Sequence, residues 1–420
     1  MHRSRLLPLA GALAVASFTP PAEAQTTRIL FLGNSYTGVN TLPTLVEQVA
    51  ESLGDTVEVA SNMPGGHTFE QHSTNPTSLA LIDAQPWDFV VLQEQSQRPS
   101  FPLAQVEVEV FPFATQLVNA IRANDSCTTP VFYMTWGRQD GDQQNCANWP
   151  PVCTYAGMQA LLRERYLQMA TDNVAECAAA GAAWSHVRDQ HPGINLYAAD
   201  GSHPSMAGSY LVACTMYATF FRRSPVGAYH PAVLHPDTAG LLQLAVEAVV
   251  LDSLDTWDIG AMDPDAGFTY VDLGAGSVQF ASTEPAALTH LWSFGDGGTS
   301  VVSDPDHVYG ASGTYTVWHV VTDACGRTDS SSMELFVGGV SVPEGGTSTP
   351  RAWCDAEAFH LDATGAGLLR LMHADGRLAA ERTIAGPGLV RLSVTGAAGP
   401  LLWTFQAVDG GGWRGLVVRP

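Results

Sequence analysis

The sequence contains no lysine, so all 19 basic residues are arginine, and they stand against 41 acidic residues. The formal charge is −22, and the chain has no basic stripe that could neutralise a phosphate backbone. Nucleic acid is therefore excluded as an expected partner. The acidity favours solubility but does not by itself specify a function.

A long hydrophobic run is also missing. A membrane-spanning helix needs about 18 consecutive apolar residues, and no stretch reaches that length, so we expect no transmembrane segment. The chain instead begins with basic residues at 3 and 5, a short apolar stretch over 6–18, and Ala22-Glu23-Ala24 as a small-residue cleavage site. This pattern predicts a signal peptide at 1–24 and a secreted or cell-surface protein.

The seven cysteines include no Cys-x-x-Cys pair and no His/Cys cluster, so the sequence predicts no zinc site. In an exported protein, cysteines are free to form disulfides. Cys146 and Cys153 close a short loop and are the predicted pair. The other five cannot be paired from the sequence, and the odd count leaves at least one thiol unpaired.

The first chemically informative stretch begins with the apolar run 29–32, which predicts a buried strand of a parallel sheet. Gly33 and Asn34 are turn residues, and Ser35 follows them ahead of a helical pattern. Ser35 is thus expected at the carboxyl edge of a sheet, where open α/β folds bind ligands. It is a candidate nucleophile; the alternative is a turn or N-cap residue.

Residues 27–255 alternate between strand and helix patterns, which predicts an α/β domain with a parallel sheet covered by helices on both sides. The predicted strands are 28–33, 56–60, 88–93 and 130–135, and the predicted helices are about 41–53, 105–123, 156–181, 204–221 and 236–254.

After Trp257 the pattern changes to short β segments separated by turn signals, which is typical of small β-sandwiches. We therefore predict four parts after the signal peptide: a catalytic domain at 25–257, a β-sandwich at 262–338, a linker at 339–354 and a second β-sandwich at 355–420.

Asp200 and His203 form the second informative stretch, three residues apart in a turn that precedes a helix. There the carboxylate can reach the imidazole Nδ1 and leave Nε2 free to accept a serine proton. The alternative is that Asp200 is an N-cap and His203 a surface residue.

Two further stretches could donate hydrogen bonds to an oxyanion. Gly66 lies in a glycine-containing loop after the second predicted strand, and Gln93 and Gln95 follow the third. Each alone is weak, because such loops are usually turns and such amides are usually caps.

The order of these blocks resembles the SGNH (GDSL-like) hydrolase superfamily over residues 27–225. The run Leu92-Gln-Glu-Gln-Ser96 and the surrounding motifs resemble a bacterial branch of it with little assigned function. Members of the superfamily are serine esterases, acetylesterases and lipases with a three-layer flavodoxin-like fold. The resemblance therefore implies that fold here, followed by the two β-sandwiches.

By the same resemblance, Ser35 is the nucleophile, His203 the general base and Asp200 its orienting partner, and the N–H groups of Ser35 and Gly66 belong to the oxyanion hole. The third conserved block of the superfamily is usually Gly-x-Asn-Asp, but the corresponding residues here are Gln93-Glu94-Gln95-Ser96. Gln95 matches the Asn position by count, whereas Gln93, which we favour, matches a Gln of carbohydrate acetylesterase relatives. No metal or organic cofactor is implied.

The later segments also resemble known modules. The stretch Trp292-Ser-Phe-Gly-Asp-Gly297 together with residues 309–317 resembles a PKD domain. Residues 367–420 resemble a C-terminal sorting domain of type IX secretion, which would bring the chain to the secretion machinery.

These features together favour a secreted serine esterase, with O-acetyl groups on extracellular carbohydrate as the first substrate to test. Two alternatives stay open. One is a non-catalytic cell-surface protein that binds glycans or mediates adhesion on the same fold. The other is a lipase or lysophospholipase, which would need a long apolar cleft.

Overall fold

The computed structural model describes residues 26–284, 289–338, 350–354, 358–373, 378–393, 399–408 and 412–419. The predicted signal peptide and residues 339–349 of the predicted linker lie outside these ranges. The chain divides into two compact units, with the boundary between Asp263 and Pro264.

The first unit is built on a five-stranded parallel sheet in the order β2-β1-β3-β4-β5. This 2-1-3-4-5 order is that of flavodoxin-like folds, so the predicted α/β fold class is confirmed. The strands are β1 (Thr27–Leu32), β2 (Val57–Asn62), β3 (Phe89–Leu92), β4 (Thr129–Tyr133) and β5 (Glu176–Ala178).

Ten α-helices in the described part of this unit connect and cover the strands. They are α1 (Ser35–Gly38), α2 (Leu42–Ser52), α3 (Phe69–His72), α4 (Pro76–Ile82), α5 (Leu103–Glu109), α6 (Phe111–Asn124), α7 (Tyr155–Asp172), α8 (Ala180–Gln190), α9 (Met206–Phe221) and α10 (Pro236–Val250). None of the helices in the described ranges is both long enough and apolar enough to cross a bilayer.

The predicted helix at 156–181 is wrong, because the structure places the end of α7, all of β5 and the start of α8 within it. Val174 adopts a left-handed conformation (φ 49°) that ends the helical path. The strand has only three residues and runs into alanines, so the sequence offers no alternating pattern that marks a strand.

The predicted helix at 105–123 is interrupted at Val110, between α5 and α6. Pro112 lies in the first turn of α6, where its missing N–H is tolerated. The same residue inside a continuous helix would remove a backbone hydrogen bond, so two helices form in place of one.

The strand order determines where the site can form. Leu32 at the end of β1 pairs with Asn62 on one side and Leu92 on the other. The residues that follow β1, β2 and β3 therefore emerge at one carboxyl edge. Because the chain reverses its direction of winding between β2 and β3, this edge is the topological switch point where α/β folds bind ligands.

The second unit consists of small antiparallel sheets, as predicted. Sheets β10-β7-β6 and β12-β11-β8-β9 share one hydrophobic core around Trp292. Their strands are β6 (Phe268–Gly274), β7 (Ser277–Ser282), β8 (Thr289–Ser293), β9 (Thr299–Ser300), β10 (Asp306–Val308), β11 (Gly313–Thr322) and β12 (Thr328–Val337).

The remaining sheets, β13-β14-β17 and β16-β15-β18-β19, share a second core. Their strands are β13 (Arg351–Cys354), β14 (Ala358–Ala363), β15 (Gly367–His373), β16 (Leu378–Ile384), β17 (Gly388–Ser393), β18 (Gly399–Ala407) and β19 (Gly412–Arg419). Strand β13 falls inside the range predicted as linker and pairs with β14, so the last four residues of that range belong to the sheet.

Candidate active site

Ser35 is the first residue of α1, directly after the turn that ends β1. Asn34 caps this short helix, and its side-chain oxygen accepts a hydrogen bond from the Tyr36 N–H at 3.1 Å. The cap fixes the start of the helix and with it the direction of the serine side chain. Ser35 is only partly buried, whereas its neighbours Asn34 and Tyr36 are buried.

Asp200 and His203 lie in a tight turn between α8 and α9. A β-bridge between Tyr197 and Pro204 closes this turn, and the Ala198 N–H donates to the His203 carbonyl at 2.8 Å. Gly201 at its tip has φ +67°, a conformation that glycine adopts at little cost. The turn thus holds the carboxylate and the imidazole at a fixed separation.

The structure brings the three predicted residues together although Ser35 and His203 are 168 positions apart in the chain. The Ser35 Oγ lies 2.8 Å from His203 Nε2, and His203 Nδ1 lies 2.5 Å from an Asp200 carboxylate oxygen. Both contacts are within hydrogen-bond distance. This is the geometry in which an imidazole can accept a hydroxyl proton while a carboxylate orients it.

Asp200 has the electrostatics of a permanent anion. Partial burial by itself raises its pKa, but hydrogen bonds from the His203 ring and from the N–H groups of Ser202 and His203 outweigh this, so its pKa lies below the ordinary value. The carboxylate therefore stays ionised at neutral pH and stabilises positive charge on the imidazole.

A stack of aromatic rings packs against the turn that carries Asp200 and His203. Tyr36 stacks on Trp136 with centroids 4.9 Å apart, and Trp136 stacks on Trp184 at 3.8 Å. The Tyr36 hydroxyl lies 2.6 Å from Ser202 Oγ, and the Trp136 indole N–H donates to the Ser202 carbonyl at 3.0 Å. No local pattern in the sequence indicates this stack, because only the tertiary fold brings the end of β4 and α8 next to the turn.

Gly66 lies in the loop after β2 at the same edge, with φ +70°. Asn34 Nδ2 donates to the His67 carbonyl at 2.9 Å and so ties this loop to the residue preceding Ser35. Within the described ranges, neither the Ser35 nor the Gly66 N–H has a hydrogen-bond partner. Both are therefore available to an acceptor.

Gln93, the favoured oxyanion donor in the sequence, does not lie where it could donate to an oxyanion. It is fully buried, and its Oε1 accepts hydrogen bonds from the Asn34 N–H at 3.0 Å and the Thr37 hydroxyl at 2.9 Å. Its Nε2 donates to the Glu94 carbonyl. The side chain thus supports the turn that carries Ser35 from within the core and does not face solvent.

Gln95, the alternative donor, is half-buried and engaged in its own loop. Its Oε1 accepts from the Gln97 N–H at 2.8 Å, and its Nε2 donates to the Gln97 side chain at 3.2 Å. The side chain thereby shapes the loop after β3, and its amide is not free in this arrangement.

Two buried titratable groups flank the site. His72 bridges the Gly33 carbonyl, 2.8 Å away, and the Ser78 hydroxyl, 2.7 Å away, and burial lowers its pKa to about 4. Burial raises the pKa of Glu94 to about 7, although the Phe69 and Gln95 N–H groups donate to its carboxylate. His72 is therefore neutral at pH 7, and its hydrogen bond to the Gly33 carbonyl stabilises the turn that precedes Ser35.

The loop at 138–154 lies beyond the end of β4 and is cross-linked by a disulfide between Cys146 and Cys153, as predicted. Inside it, the buried Asp142 accepts from the Arg138 guanidinium at 3.1 Å and from Gln97 Nε2 at 2.8 Å. The latter bond connects this loop to the one after β3.

Residues 274–337 match the PKD domain family, as the motif at 292–297 predicted. One curated relative is the collagenase ColA of Bacillus cereus, which is 44% identical over 50 residues. That match covers 12% of this chain and 5% of the collagenase, so the chain spans only about a twentieth of this relative's length.

Solved structures resemble the first part of the chain. A DUF4886 family protein from Bacteroides uniformis is 18% identical, with a TM-score of 0.47, and the match covers 55% of this chain and 95% of that one. A candidate SGNH hydrolase from Slackia heliotrinireducens is 31% identical, with a TM-score of 0.37 and coverages of 46% and 98%.

An acetyl xylan esterase from Geobacillus stearothermophilus is 15% identical, with a TM-score of 0.31 and coverages of 47% and 93%. The solved structures similar to this chain thus include an SGNH hydrolase candidate, a GDSL-like lipase candidate and two esterases, and a PKD domain lies at residues 274–337.

Proposed function

We propose that this protein is a serine esterase that hydrolyses carboxylic esters with Ser35, His203 and Asp200. The observation that carries the proposal is the continuous chain of contacts from Ser35 Oγ to His203 Nε2 at 2.8 Å and from His203 Nδ1 to Asp200 at 2.5 Å. A partly exposed serine in contact with an imidazole that a carboxylate orients is the arrangement of an activated nucleophile.

In the first half of the proposed reaction, Ser35 Oγ attacks the ester carbonyl carbon and its proton passes to His203 Nε2. The tetrahedral intermediate collapses, the bond to the alcohol oxygen breaks, and Nε2 returns the proton to the leaving alkoxide. Water then attacks the carbonyl carbon of the acyl-enzyme and loses a proton to Nε2; the bond to Ser35 Oγ breaks, Nε2 returns the proton to Oγ, and the acid leaves. Asp200 remains ionised throughout.

The oxyanion of the tetrahedral intermediate needs donors at the mouth of the site. We assign this role to the N–H groups of Ser35 and Gly66, which lack hydrogen-bond partners in the described ranges. Gln93 takes a positioning role in place of the direct contact that the sequence suggested, because its amide is buried and engaged.

The finer features of the proposal concern location and substrate. A signal peptide at 1–24 and a PKD domain suit an extracellular enzyme, and the C-terminal unit at 355–420 would serve as a secretion sorting domain. O-acetyl groups on extracellular polysaccharide are the substrate class that we propose first. The division into a catalytic domain at 25–257, a PKD-like unit, a linker and a C-terminal unit is part of the same proposal.

The test is release of acid from p-nitrophenyl acetate by the purified mature chain and by its Ser35→Ala variant. Because triad members act as a unit, we expect the variant to lose activity by a factor of at least about 1000. Equal turnover by the two proteins would reject the esterase. Glycan binding that persists in both proteins, without turnover in either, would favour the non-catalytic alternative.

A panel of acetylated xylan, tributyrin and lysophospholipid separates the substrate classes. Acetate release from the polysaccharide, at least 10-fold faster than hydrolysis of the two lipids, is the result that the proposal predicts. The reverse order would identify a lipase or lysophospholipase.

A further inference from the structure

The first unit contains a cavity of about 570 Å³ whose lining includes none of the proposed catalytic residues. It is a groove between α7 and α8, closed by the end of α10 and by a 3-10 helix at Leu251–Trp257. Alanines at 156, 160, 182 and 248 line it, and their small side chains leave the space open. A cavity of this size suits a small-molecule ligand.

Arg163 in this groove forms no ion pair with any residue in the described ranges. The other arginines of the described first unit bind carboxylates or backbone carbonyls, but Arg163 makes no ion pair and no hydrogen bond with any residue in the described ranges. Its guanidinium lies over the ring of Trp257, 4.4 Å from the centroid. A guanidinium that stacks on an aromatic ring and forms no ion pair is positioned for an external anion.

Gln159 is a second polar residue in the lining of the groove. Its Oε1 accepts from the Gly137 N–H at 2.9 Å, which fixes the orientation of the amide. Its Nε2 is buried without a hydrogen-bond partner, and the residue is 8% exposed and lines the groove. The Nε2 atom lies beside Gly181 and is closed off from the groove, so Gln159 shapes the lining and does not itself contact a ligand.

The rest of the lining indicates the kind of ligand. Ser185 and His186 add polar groups from α8, and Asp189 places a carboxylate at the exposed rim, where it can accept hydrogen bonds from hydroxyl groups. The cavity has room for several such contacts besides the one to Arg163. We propose that this groove binds a hydroxylated carboxylate of the sugar-acid type, with its carboxylate on Arg163 and its hydroxyl groups on Ser185 and Asp189.

A free sugar acid and one unit of an acidic polysaccharide would present the same groups to this site. The test is isothermal titration of the mature full-length protein with D-galacturonate, tri-galacturonate and D-galactose. Binding of both acids, with the neutral sugar at least 10-fold weaker, is the expected result. Tighter binding of the trimer would identify a polysaccharide, and equal binding a free sugar acid; equal binding of D-galactose, or no binding of either acid, would overturn the proposal.

Two variants locate the site and one serves as a matched control. Arg163→Gln removes the charge, and Ala160→Leu fills the cavity without touching a charged group. Each should weaken D-galacturonate binding by about 10- to 100-fold, the range expected for a charged hydrogen bond. Arg28→Gln, which removes a surface arginine, should bind like the wild type.

Ser35→Ala should also bind normally, because the groove and the proposed catalytic residues are separate. Unchanged affinity in both groove variants, in proteins with wild-type circular dichroism, would overturn the proposal. Lost affinity in Ser35→Ala would place the ligand at the catalytic residues and would overturn it equally. None of these results depends on whether the protein hydrolyses esters.

Discussion

Ser35, Asp200 and His203 could be identified as candidate catalytic residues because each lies in a short local sequence pattern. The turn at 33–35 and the i, i+3 spacing of the Asp–His pair need no knowledge of the fold. Gln93 could not be placed in the same way. Its role depends on Asn34 and Thr37, which are more than 50 positions away, and only the pairing of β1 with β3 brings them to its amide.

The charge of Asp200 provides a first prediction. Asp200→Asn keeps an oxygen for the Ser202 and His203 N–H groups but removes the negative charge that stabilises the imidazolium. We expect kcat/KM for p-nitrophenyl acetate to fall by about 100- to 10,000-fold, as in other triads. Circular dichroism of the variant should be unchanged, and retention of full activity would remove Asp200 from the mechanism.

His72 provides a prediction about stability. Its folded-state pKa of about 4 lies below the ordinary value of 6.5, so the unfolded chain takes up a proton before the folded one does. The stabilisation is fully present above pH 6.5 and is lost as the pH falls towards 4, by roughly 3 kcal/mol in total. Urea unfolding of the wild type and His72→Gln at pH 7 and pH 4.5 measures this.

The variant keeps an amide that can donate to the Gly33 carbonyl but cannot titrate. Its loss of stability between the two pH values should be smaller than that of the wild type by most of this amount. Identical losses in the two proteins would mean that His72 is not held neutral.

At the scale of elements, the four longer strands and most helices follow from patterns in the sequence, but β5 and α8 do not. Apolar runs such as 29–32 mark strands because both faces of the sheet are covered. The alanine-rich segment around β5 carries no such signal, so a helix was the natural prediction. The elements that place Ser35 could thus be predicted, whereas the end of α7, β5 and α8 could not.

Asn34 both caps α1 and binds the loop after β2, and two variants separate these roles. Asn34→Ala removes both the cap to Tyr36 and the bond to the His67 carbonyl, and should cost about 1 kcal/mol in unfolding free energy. Asn34→Ser keeps a capping oxygen but loses the donor to His67. We expect the serine variant to unfold like the wild type yet lose esterase activity, because the loop of Gly66 is no longer tied to Ser35.

Thermal unfolding and kcat/KM on the same preparations separate the two effects. A serine variant with full activity would show that the Asn34–His67 bond does not position the oxyanion donors.

For the whole molecule, the sequence correctly predicted an α/β part followed by antiparallel sheets, because strand periodicity and turn spacing change after Trp257. The excess of acidic residues leads to a further prediction. With a formal charge of −22 and a pI of about 4.7, self-repulsion destabilises the compact chain at neutral pH. Raising NaCl from about 20 mM to 500 mM, which shortens the Debye length, should raise Tm by a few degrees.

At a pH near the pI the net charge is small, so the same addition of salt should leave Tm nearly unchanged. A Tm that does not respond to salt at pH 7 would show that charge repulsion does not limit the stability of this protein.

The central claim is that His203 activates the Ser35 hydroxyl as a nucleophile. The most direct measurement is the intact mass of the full mature chain after incubation with a fluorophosphonate, followed by mapping of the modified peptide. We predict one phosphonyl group on Ser35, no adduct with Ser35→Ala, and much slower labelling of His203→Ala. An unmodified wild-type chain, or an adduct on a different residue with Ser35 left free, would contradict the claim.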